Sequence, residues 1–302
     1  MAKRYQLRLN SNDEPWTEEQ WRQALRDSDA VCPTVTDRLS GSLLSAAGPR
    51  LRVIGNYGVG FEHIDVVAAK ARGLVVTNTP EVLTEATADL TMALLLGIAR
   101  RTVEGDAHLR SAQWTGWRPT HLLGAKVSGQ VLGLIGYGRI ARAVARRAHS
   151  GFGMKVHVFS PRRPAMAEDI PIRWYGTLEE LLASADFVSL HCPARPETRH
   201  LIDAARMRLM KPGAFLINTA RGNIVDELAL VAALRSGVIA GAGLDVYERE
   251  PAITAGLCAL PNTLLLPHLG SATLDTRIAM GMRVLANLDA FFAGQDPPDR
   301  IA

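Results

Sequence analysis

The sequence predicts an α/β protein built on parallel β-sheets, and three observations lead to this prediction. Short runs rich in β-branched and aromatic residues alternate with segments that carry apolar residues at helical spacing. Several of these runs are apolar almost throughout, as strands are when helices cover both faces of a sheet. The 302 residues, 47% hydrophobic and 21% charged, suffice for about two domains with cores of their own.

Eight apolar runs are predicted to be strands, and the last six form one block. They are LRVIGN (51–56), VVTN (75–78), VLGLIG (131–136), KVHVFS (155–160), FVSLHC (187–192), AFLINT (214–219), AGLDVY (242–247) and TLLLPH (263–268). Six such strands in succession favour a doubly wound parallel sheet of the Rossmann type.

Four segments are predicted to be helices. RIARAVARRAHSGF and DELALVAALRSG have apolar residues at helical spacing. Residues 87–114 are predicted to form one long helix that bridges two domains, and residues 271–294 another that returns the chain to the first domain. The predicted organisation is a smaller, discontinuous, flavodoxin-like α/β domain (1–97 and 283–302) into which the Rossmann domain (98–282) is inserted.

Composition argues against several classes of protein. The net charge is +4 and the pI about 9.1, but the basic residues are scattered among 30 acids, so no nucleic-acid partner is expected. The basic N-terminus lacks the apolar run of a signal peptide, and the longest apolar stretch (90–99) is about half a membrane span, so no membrane association is expected. Cys32, Cys192 and Cys258 lack metal-ligand spacing, which is typical of a cytoplasmic protein without a metal site.

The glycine pattern GLIGYGRIA (133–141) indicates a dinucleotide site. Gly136-x-Gly138-x-x-Ala141 follows a predicted strand and opens a predicted helix. Gly136 permits a tight turn, Gly138 lets the backbone approach a pyrophosphate, and Ala141 is small enough for close helix–strand packing. The amides and the dipole of the helix start suit the anion. A glycine-rich turn without a ligand is the alternative.

The adenosine end of this site lacks the carboxylate that usually meets NAD. No Asp or Glu occurs between Gly136 and Ala167, and Ser160 stands at that position with Arg162 and Arg163 close behind. A carboxylate would repel the 2′-phosphate of NADP, whereas guanidinium groups bind phosphate. The sequence therefore favours NADP, with NAD as the alternative if both arginines are solvated loop residues.

Five segments in order resemble the D-isomer-specific 2-hydroxyacid dehydrogenases. They are LLGAKVSGQVLGLIGYGRIARAVARRA, LHCPARPETRHLID, MKPGAFLINTARGNIVDELAL, AGAGLDVYEREP and LLLPHLGSAT. The resemblance covers the chain from about Glu18. Within the family, NYGVGFEHID and WTGWRP are most similar to glyoxylate/hydroxypyruvate reductases.

The resemblance implies three catalytic residues: Arg221 in TARG, Glu250 before the proline of DVYEREP, and His268 in PHLGSAT. The chemistry calls for the same residue types. A guanidinium can hold both the carboxylate and the carbonyl of a 2-keto acid, and a histidine supported by a carboxylate can protonate the carbonyl oxygen near neutral pH. Reduction should then fail as the pH rises and the histidine loses its proton. The other seven histidines are expected to be structural: His63, His108, His121, His149, His157, His191 and His200.

The resemblance also implies contacts on the substrate side. Val59 and Gly60 match a loop whose backbone amides meet the substrate carboxylate in the family. Trp117 matches a tryptophan that reaches the active site of the partner subunit in related reductases, which implies a homodimer. A core or interface aromatic without substrate contact is the alternative for Trp117.

Further positions are expected to contact the cofactor. Thr84 matches a residue near the nicotinamide, and Asp245 matches one that bonds its carboxamide. Cys192 and Pro193 match the adenine-side wall, where Cys192 is expected to pack rather than act as a nucleophile. The expected cofactor contacts are completed by Arg139, Ile140, Thr219 and Ala220.

One departure from the family concerns the first domain. Family members usually begin with one βα unit before the point that matches YQLRLN, and this unit is absent here. Either the start is misassigned or the domain is smaller, and the first sheet is then expected to lack a strand and to have an edge that must be covered.

Two other functions compete with reduction of small 2-keto acids by NADPH. A phosphoglycerate-type dehydrogenase would need cations for the substrate phosphate, and the NYGVGFEHID loop offers only His63. A dinucleotide-sensing regulatory protein would be non-catalytic, although such a protein can keep all three residues.

Overall fold

The computed structural model describes residues 4–163 and 169–302 of the chain. Its strands are β1 (Ala30–Val31), β2 (Val53–Gly55), β3 (Val75–Thr77), β4 (Val131–Ile135), β5 (Lys155–Phe159), β6 (Ile172–Trp174), β7 (Phe187–Leu190), β8 (Phe215–Asn218), β9 (Gly241–Leu244) and β10 (Thr263–Leu265). Its helices are α1 (Glu18–Asp27), α2 (Gly41–Ser45), α3 (Val66–Ala71), α4 (Thr84–Ala99), α5 (Thr102–Arg110), α6 (Arg139–Phe152), α7 (Leu178–Ser184), α8 (Ala204–Met207), α9 (Glu227–Arg235) and α10 (Leu274–Phe292).

The strands form two parallel sheets. One has three strands in the order β1-β2-β3, and the other has seven in the order β10-β9-β8-β7-β4-β5-β6. In the larger sheet the chain runs from β4 through β5 to β6 in one direction and from β7 to β10 in the other. This reversal between β4 and β7 is the doubly wound arrangement that the sequence predicts, and ligands bind such sheets at the carboxyl ends of the strands.

All eight predicted strands are present, and two further strands escaped prediction. Strand β1 has two residues, and β6 has three with an exposed Arg173 at its centre. Both lie at a sheet edge, where fewer side chains are buried and the apolar signal is weak.

Helices cover both faces of the seven-stranded sheet. On one face strand residues such as Leu134 pack with residues of α4 and α6, and on the other face residues such as Val188 pack with α7, α8 and α9. Leu134 and Val188 are fully buried. Burial on both faces explains why these strands are nearly continuous apolar runs.

The stretch predicted as one long helix (87–114) is two helices. Helix α4 ends at Ala99 and α5 begins at Thr102, and Arg101 between them adopts the left-handed conformation with φ 53°. The guanidinium of Arg101 pairs with Glu104 in the first turn of α5. The prediction of one helix was wrong because helical spacing continues across a break that only the backbone conformation of Arg101 reveals. Residues 271–294, in contrast, do contain the single long helix α10.

The chain divides into two compact units, Met1–Leu83 with Thr273–Ala302 and Thr84–Ala272. The predicted boundaries, 97/98 and 282/283, fall instead inside α4 and α10. Helix α4 lies wholly in the second unit because Leu94 is fully buried in that unit's core. Helix α10 lies in the first unit, where Val284 and Leu288 pack with Val53 of β2.

The C-terminal residues of the first unit lie along strand β3. The amide of Ile301 donates to the carbonyl of Val76 (2.7 Å), and the amide of Val76 donates to that of Ala302 (3.0 Å). In the described residues the sheet of this unit has three strands, and the β3 edge is covered by these contacts. Across residues 4–163 and 169–302, none of the helices combines the length and hydrophobicity needed to cross a bilayer.

Candidate active site

The three predicted catalytic residues follow neighbouring strands of the seven-stranded sheet. Arg221 comes three residues after β8, Glu250 six residues after β9, and His268 three residues after β10. Strands β8, β9 and β10 are adjacent and parallel, so their carboxyl ends meet at one edge. All three residues belong to the unit Thr84–Ala272.

Glu250 and His268 form a hydrogen-bonded pair. Nδ1 of His268 lies 2.8 Å from Oε2 of Glu250, and the other carboxylate oxygen accepts the amide of Tyr247 at 2.9 Å. Both side chains remain about 30% exposed (31% for His268, 30% for Glu250), so the pair is accessible to a substrate. The contact at Nδ1 fixes the imidazole and leaves Nε2 for other partners.

The pKa of Glu250 lies below its ordinary value. Burial opposes ionisation of this carboxyl, but the hydrogen bond and charge of His268, the amide of Tyr247 and the charge of Arg221 together outweigh it. Glu250 is therefore the anionic member of the group at neutral pH. Arg221 follows β8, the strand adjacent to β9, after which Glu250 lies.

The Arg221 segment packs tightly against the segment that follows β9. A Cβ on Gly222 would lie 1.9 Å from the carbonyl carbon of Tyr247 and 2.3 Å from the amide nitrogen of Glu248, so only glycine fits. The buried side chain of Asn218 accepts the amide of Ala220 (3.0 Å) and donates to the carbonyl of Arg221 (2.9 Å). These contacts fix the backbone from which the guanidinium extends.

The His268 segment is fixed by Asp245. His268 has a left-handed backbone (φ 55°), which is unusual for a residue other than glycine. The carboxylate of Asp245 accepts the amides of Leu269 (2.6 Å) and Gly270 (2.8 Å), and its carbonyl accepts the amide of His268 (2.9 Å). Burial raises the pKa of Asp245 despite these bonds. The predicted contact of this carboxylate with the nicotinamide carboxamide stays a prediction.

Helix α4 contributes two buried threonines to the same end of the sheet. The hydroxyl of Thr87 donates to the carbonyl of Gly270 (2.9 Å), next to the His268 segment. The hydroxyl of Thr91 lies 2.9 Å from that of Thr219, next to the Arg221 segment. The helix thus connects the two catalytic segments from one side.

The glycine fingerprint has the geometry of a phosphate-binding turn. Gly136 has φ 86°, and a Cβ there would lie 2.8 Å from the amide nitrogen of Cys192 and the carbonyl carbon of His191. Gly138 is the N-cap of α6, no side chain caps this helix, and a Cβ on Gly138 would meet nothing within 4 Å. Open space beside uncapped helical amides fits the pyrophosphate of a dinucleotide.

The remaining predicted cofactor residues occupy varied environments. Thr84 is half-buried at the first position of α4, and Thr219 is nearly buried after β8. Ile140 packs partly against the core, and Arg139 and Pro193 are exposed. Burial raises the pKa of the Cys192 thiol to about 11, which fits a packing residue rather than a nucleophile.

The adenosine end of the fingerprint carries the predicted cations. Ser160 directly follows β5 and is partly buried, whereas Arg162 and Arg163 are exposed. The guanidinium of Arg163 lies 5.1 Å from the ring centre of Trp174, the last residue of the neighbouring strand β6. Trp174 in turn meets the ring of Tyr137 edge-on at 5.2 Å. An aromatic platform therefore supports one of the two arginines.

The residues predicted to contact the substrate belong to different units. In the first unit the carbonyl of Val59 accepts from Asn78 (2.8 Å), and that of Gly60 accepts from Asn56 (2.9 Å). The predicted contact of the amides of these two residues with the substrate carboxylate stays a prediction. In the second unit Trp117 is 82% exposed in the segment between α5 and β4.

The other histidines have structural partners in the described chain. Burial lowers the pKa of His191 to about 4, so this ring is neutral, and it bonds the hydroxyl of Ser189 (2.9 Å). His63 bonds Asn56, and His200 bonds Glu248. Among residues 4–163 and 169–302, no group of three or more His, Cys, Asp or Glu could hold a metal ion.

Several supporting residues were not identified from the sequence. Asn218 and Gly222 flank Arg221 in NTARG, and Thr87 and Thr91 lie four residues apart on the apolar helix α4. The signal for the threonines was polar residues on a helix that is otherwise largely apolar. The need for glycine at 222 depends on a segment 25 residues away, so no local pattern reveals it.

These features define a dehydrogenase that uses a nicotinamide dinucleotide, and comparison with known proteins agrees. The model of the family described as D-isomer specific 2-hydroxyacid dehydrogenase, NAD binding domain, matches residues 92–270. The chain belongs to the D-isomer specific 2-hydroxyacid dehydrogenase family.

Within the family the chain is similar to glyoxylate reductases. It is 48% identical over 281 residues to a glyoxylate reductase of Thermococcus litoralis, covering 92% of this chain and 84% of that protein. A glyoxylate reductase structure from Paecilomyes thermophila superposes with a TM-score of 0.85 at 33% identity, covering 94% of this chain and 87% of that one. The NADPH-dependent glyoxylate/hydroxypyruvate reductase of Sinorhizobium meliloti, in complex with NADP and malonate, gives a TM-score of 0.82 at 38% identity, with 92% and 85% coverage.

Proposed function

We propose that this protein reduces small 2-keto acids, with glyoxylate and hydroxypyruvate foremost, to 2-hydroxy acids with NADPH. The observation that carries the proposal is the hydrogen-bonded pair of His268 and Glu250 at the strand ends that Arg221 also follows. The similarity to glyoxylate reductases supports this class of substrate.

Each of the three residues has a distinct role in the proposed reaction. Bound NADPH would supply a hydride to the carbonyl carbon. The guanidinium of Arg221 holds the substrate carboxylate and carbonyl oxygen, which orients the carbonyl and stabilises charge on its oxygen. His268 donates a proton from Nε2 to that oxygen, while Glu250 at Nδ1 holds the ring in place.

The preference for NADPH is supported by the residues after β5. Ser160 stands where NAD-specific sites present a carboxylate, and the two arginines that follow are cationic and exposed. The stacking of Arg163 on Trp174 limits its conformations and so reduces the entropy lost when a phosphate binds. The S. meliloti relative, whose structure contains NADP, is consistent with this preference.

The two alternative functions have less support. A phosphorylated substrate would need cations near the Val59 loop, but His63 is engaged there by Asn56 at 2.9 Å. A non-catalytic regulator can keep the three residues but has no need for a histidine paired with a carboxylate, whereas proton transfer to a carbonyl oxygen makes use of one.

Steady-state rates with a panel of 2-keto acids test the proposal. Glyoxylate and hydroxypyruvate should be reduced with a higher kcat/KM than pyruvate or the phosphorylated analogue of hydroxypyruvate. No turnover of any member with either cofactor would support the regulator, and a preference for the phosphorylated acid would support the phosphoglycerate-type enzyme.

The cofactor preference has its own test at Ser160. Replacement of Ser160 by Asp introduces the missing carboxylate, so the KM for NADPH should rise about tenfold or more while that for NADH changes little. Ser42→Asp, which introduces a carboxylate at an exposed serine of α2 in the other unit, is the matched control and should leave both values unchanged. A clear preference of the unmodified protein for NADH would refute the inference.

The proposed assembly is a homodimer. Helix α5 has no buried residue, and five large apolar side chains are exposed on it and on the segment that follows: Val103, Leu109, Trp114, Trp117 and Leu123. Such a cluster typically marks an interaction surface. A second copy of the chain is the proposed partner.

A further inference from the structure

Glu227 is a buried carboxylate that the proposed reaction does not use. It is the first residue of α9 and only 2% exposed. Charged residues are rarely so buried unless their partners are fixed, because removing a carboxylate from water is costly. The partners of Glu227 therefore indicate what its burial achieves.

Both carboxylate oxygens of Glu227 bind the segment that carries Glu250. Oε1 accepts the amide of Glu248 at 2.7 Å, and Oε2 accepts the hydroxyl of Thr254. Glu248 lies two residues before Glu250 and Thr254 four residues after it. These two residues are the ends of the turn that carries Glu250. Inside the turn, the hydrogen bond from the amide of Ala252 to the carbonyl of Arg249 joins only residues near its middle. Glu227 therefore holds the two ends of the turn.

Glu227 is also close to Arg221 along the chain. Only five residues separate Arg221 from Glu227, and they comprise a 3-10 turn (Gly222–Ile224) and the N-cap of α9. Gly222 packs on the peptide between Tyr247 and Glu248, whose amide Glu227 accepts. Glu227 thus links the backbone that presents the guanidinium to the backbone that presents Glu250.

We infer that Glu227 is a positioning residue for the catalytic group: its carboxylate ties the turn that carries Glu250 to the segment that carries Arg221. The inference rests on the proposed function, since it concerns the geometry of the same three residues. Glu227 does not contact His268, so it acts through Glu250. Its negative charge at the start of α9 is favoured by the helix dipole.

The test compares three variants by kcat, KM and melting temperature. Glu227→Ala removes both bonds and should lower kcat by about 10- to 100-fold, because small displacements of catalytic groups have effects of this order, while the KM for NADPH stays unchanged. Glu227→Gln can still accept the amide of Glu248 and donate to Thr254, so it should restore kcat to near that of the unmodified protein.

Asp226→Ala is the matched control. Asp226 caps the same helix by accepting the amide of Ala229 (3.0 Å) but makes no bond to the Glu250 turn. It should lower the melting temperature and leave kcat unchanged. If Glu227→Ala lowers only the melting temperature, as Asp226→Ala does, the inference is overturned.

Crystal structures separate this inference from the proposed function. In Glu227→Ala the contact between Nδ1 of His268 and Glu250, 2.8 Å here, should lengthen or break, whichever substrate the protein reduces. An unchanged contact overturns the inference even if the protein is an active reductase. Should Glu227→Ala not fold, Thr254→Val removes one of the two bonds and should lower kcat by a smaller factor, and an unchanged kcat in that variant counts against the inference.

Discussion

Glu250 divides its two oxygens between the imidazole of His268 and the amide of Tyr247. The hydrogen bond from the amide of Tyr247 fixes the carboxylate of Glu250. The carboxylate in turn fixes the imidazole ring of His268 through the second hydrogen bond. The lowered pKa of Glu250 keeps it ionised at neutral pH, so a negative charge lies beside the imidazole. At the scale of single residues, the proposed proton donor is thus held by an anion.

Replacing Glu250 by Gln should lower kcat for reduction. The substitution removes the negative charge that lies 2.8 Å from the imidazole of His268, so kcat should fall by about tenfold or more. Glu248→Gln, two residues away and paired with His200, is the control and should leave kcat unchanged. An unchanged kcat in Glu250→Gln would contradict the assigned role.

The same lowered pKa has a consequence for stability. A carboxylate whose pKa is lower in the folded than in the unfolded state stabilises the fold above its unfolded pKa, and this contribution is lost as the pH falls through the lowered value. The stability difference between the unmodified protein and Glu250→Gln should therefore be largest at neutral pH and diminish in acid. Urea denaturation at several pH values measures it, and a difference that grows in acid would contradict the sign.

Gly222 offers a second test at a single residue. A methyl group at this position would overlap the backbone between Tyr247 and Glu248, which cannot move without displacing Glu250. Gly222→Ala should therefore lose about 2 kcal/mol or more of unfolding free energy, together with most of the activity. Gly213→Ala, where nothing lies within 4 Å of an added Cβ, should change stability by less than about 0.5 kcal/mol. Equal effects of the two substitutions would refute the packing argument.

Different helices and strand ends support different parts of the proposed site. Helix α4 supports the catalytic segments through Thr87 and Thr91, and α6 presents uncapped amides beside Gly138. Trp174 at the end of β6, backed by Tyr137 after β4, forms the platform on which Arg163 stacks.

Trp174 at the end of β6 should affect only the phosphorylated cofactor. Trp174→Ala removes the ring beneath Arg163, and a cation–π contact at an exposed site corresponds to a rise of about two- to fivefold in the KM for NADPH. Trp174→Phe keeps an aromatic face and should have a smaller effect. The KM for NADH is the internal control, and an equal rise in both values would show that Trp174 merely supports the fold.

At the scale of the whole molecule, the exposed apolar side chains between residues 102 and 123 are the proposed dimer interface. Sedimentation velocity should show a dimer for the unmodified protein. Leu109→Asp combined with Leu123→Asp, at side chains that are 60% and 65% exposed, should give a monomer. Leu228→Asp, at an equally exposed leucine of α9, is the control and should remain dimeric. A monomeric unmodified protein would refute the proposed assembly.

The sequence predicted those features that depend on the pattern of residues within one short segment. The eight strands are apolar runs, α6 spans the residues that the spacing indicated, and the fingerprint has the predicted turn at Gly136. The break at Arg101 is a backbone conformation that no spacing reveals. The boundaries of the two units depend on which core buries α4 and α10, and that is decided by tertiary packing.

The sequence also named the three residues of the proposed catalytic group, but not what holds them together. Glu227 and Gly222 act through contacts with residues that lie 21 and more positions away, and in the sequence Glu227 is one of several acids at helix starts. Glu227 differs from those other acids in being buried. The burial of one carboxylate cannot be predicted from the residues next to it in the sequence.

The proposed reaction can be followed by the transfer of deuterium to glyoxylate from NADPH labelled at the reactive carbon. We expect glycolate that carries one deuterium on the carbon of the former aldehyde, detected by mass spectrometry. His268→Asn, whose amide has no acidic proton to transfer, should form this product at least about 100-fold more slowly. Absence of labelled glycolate, or an undiminished rate in His268→Asn, would contradict the proposed reaction.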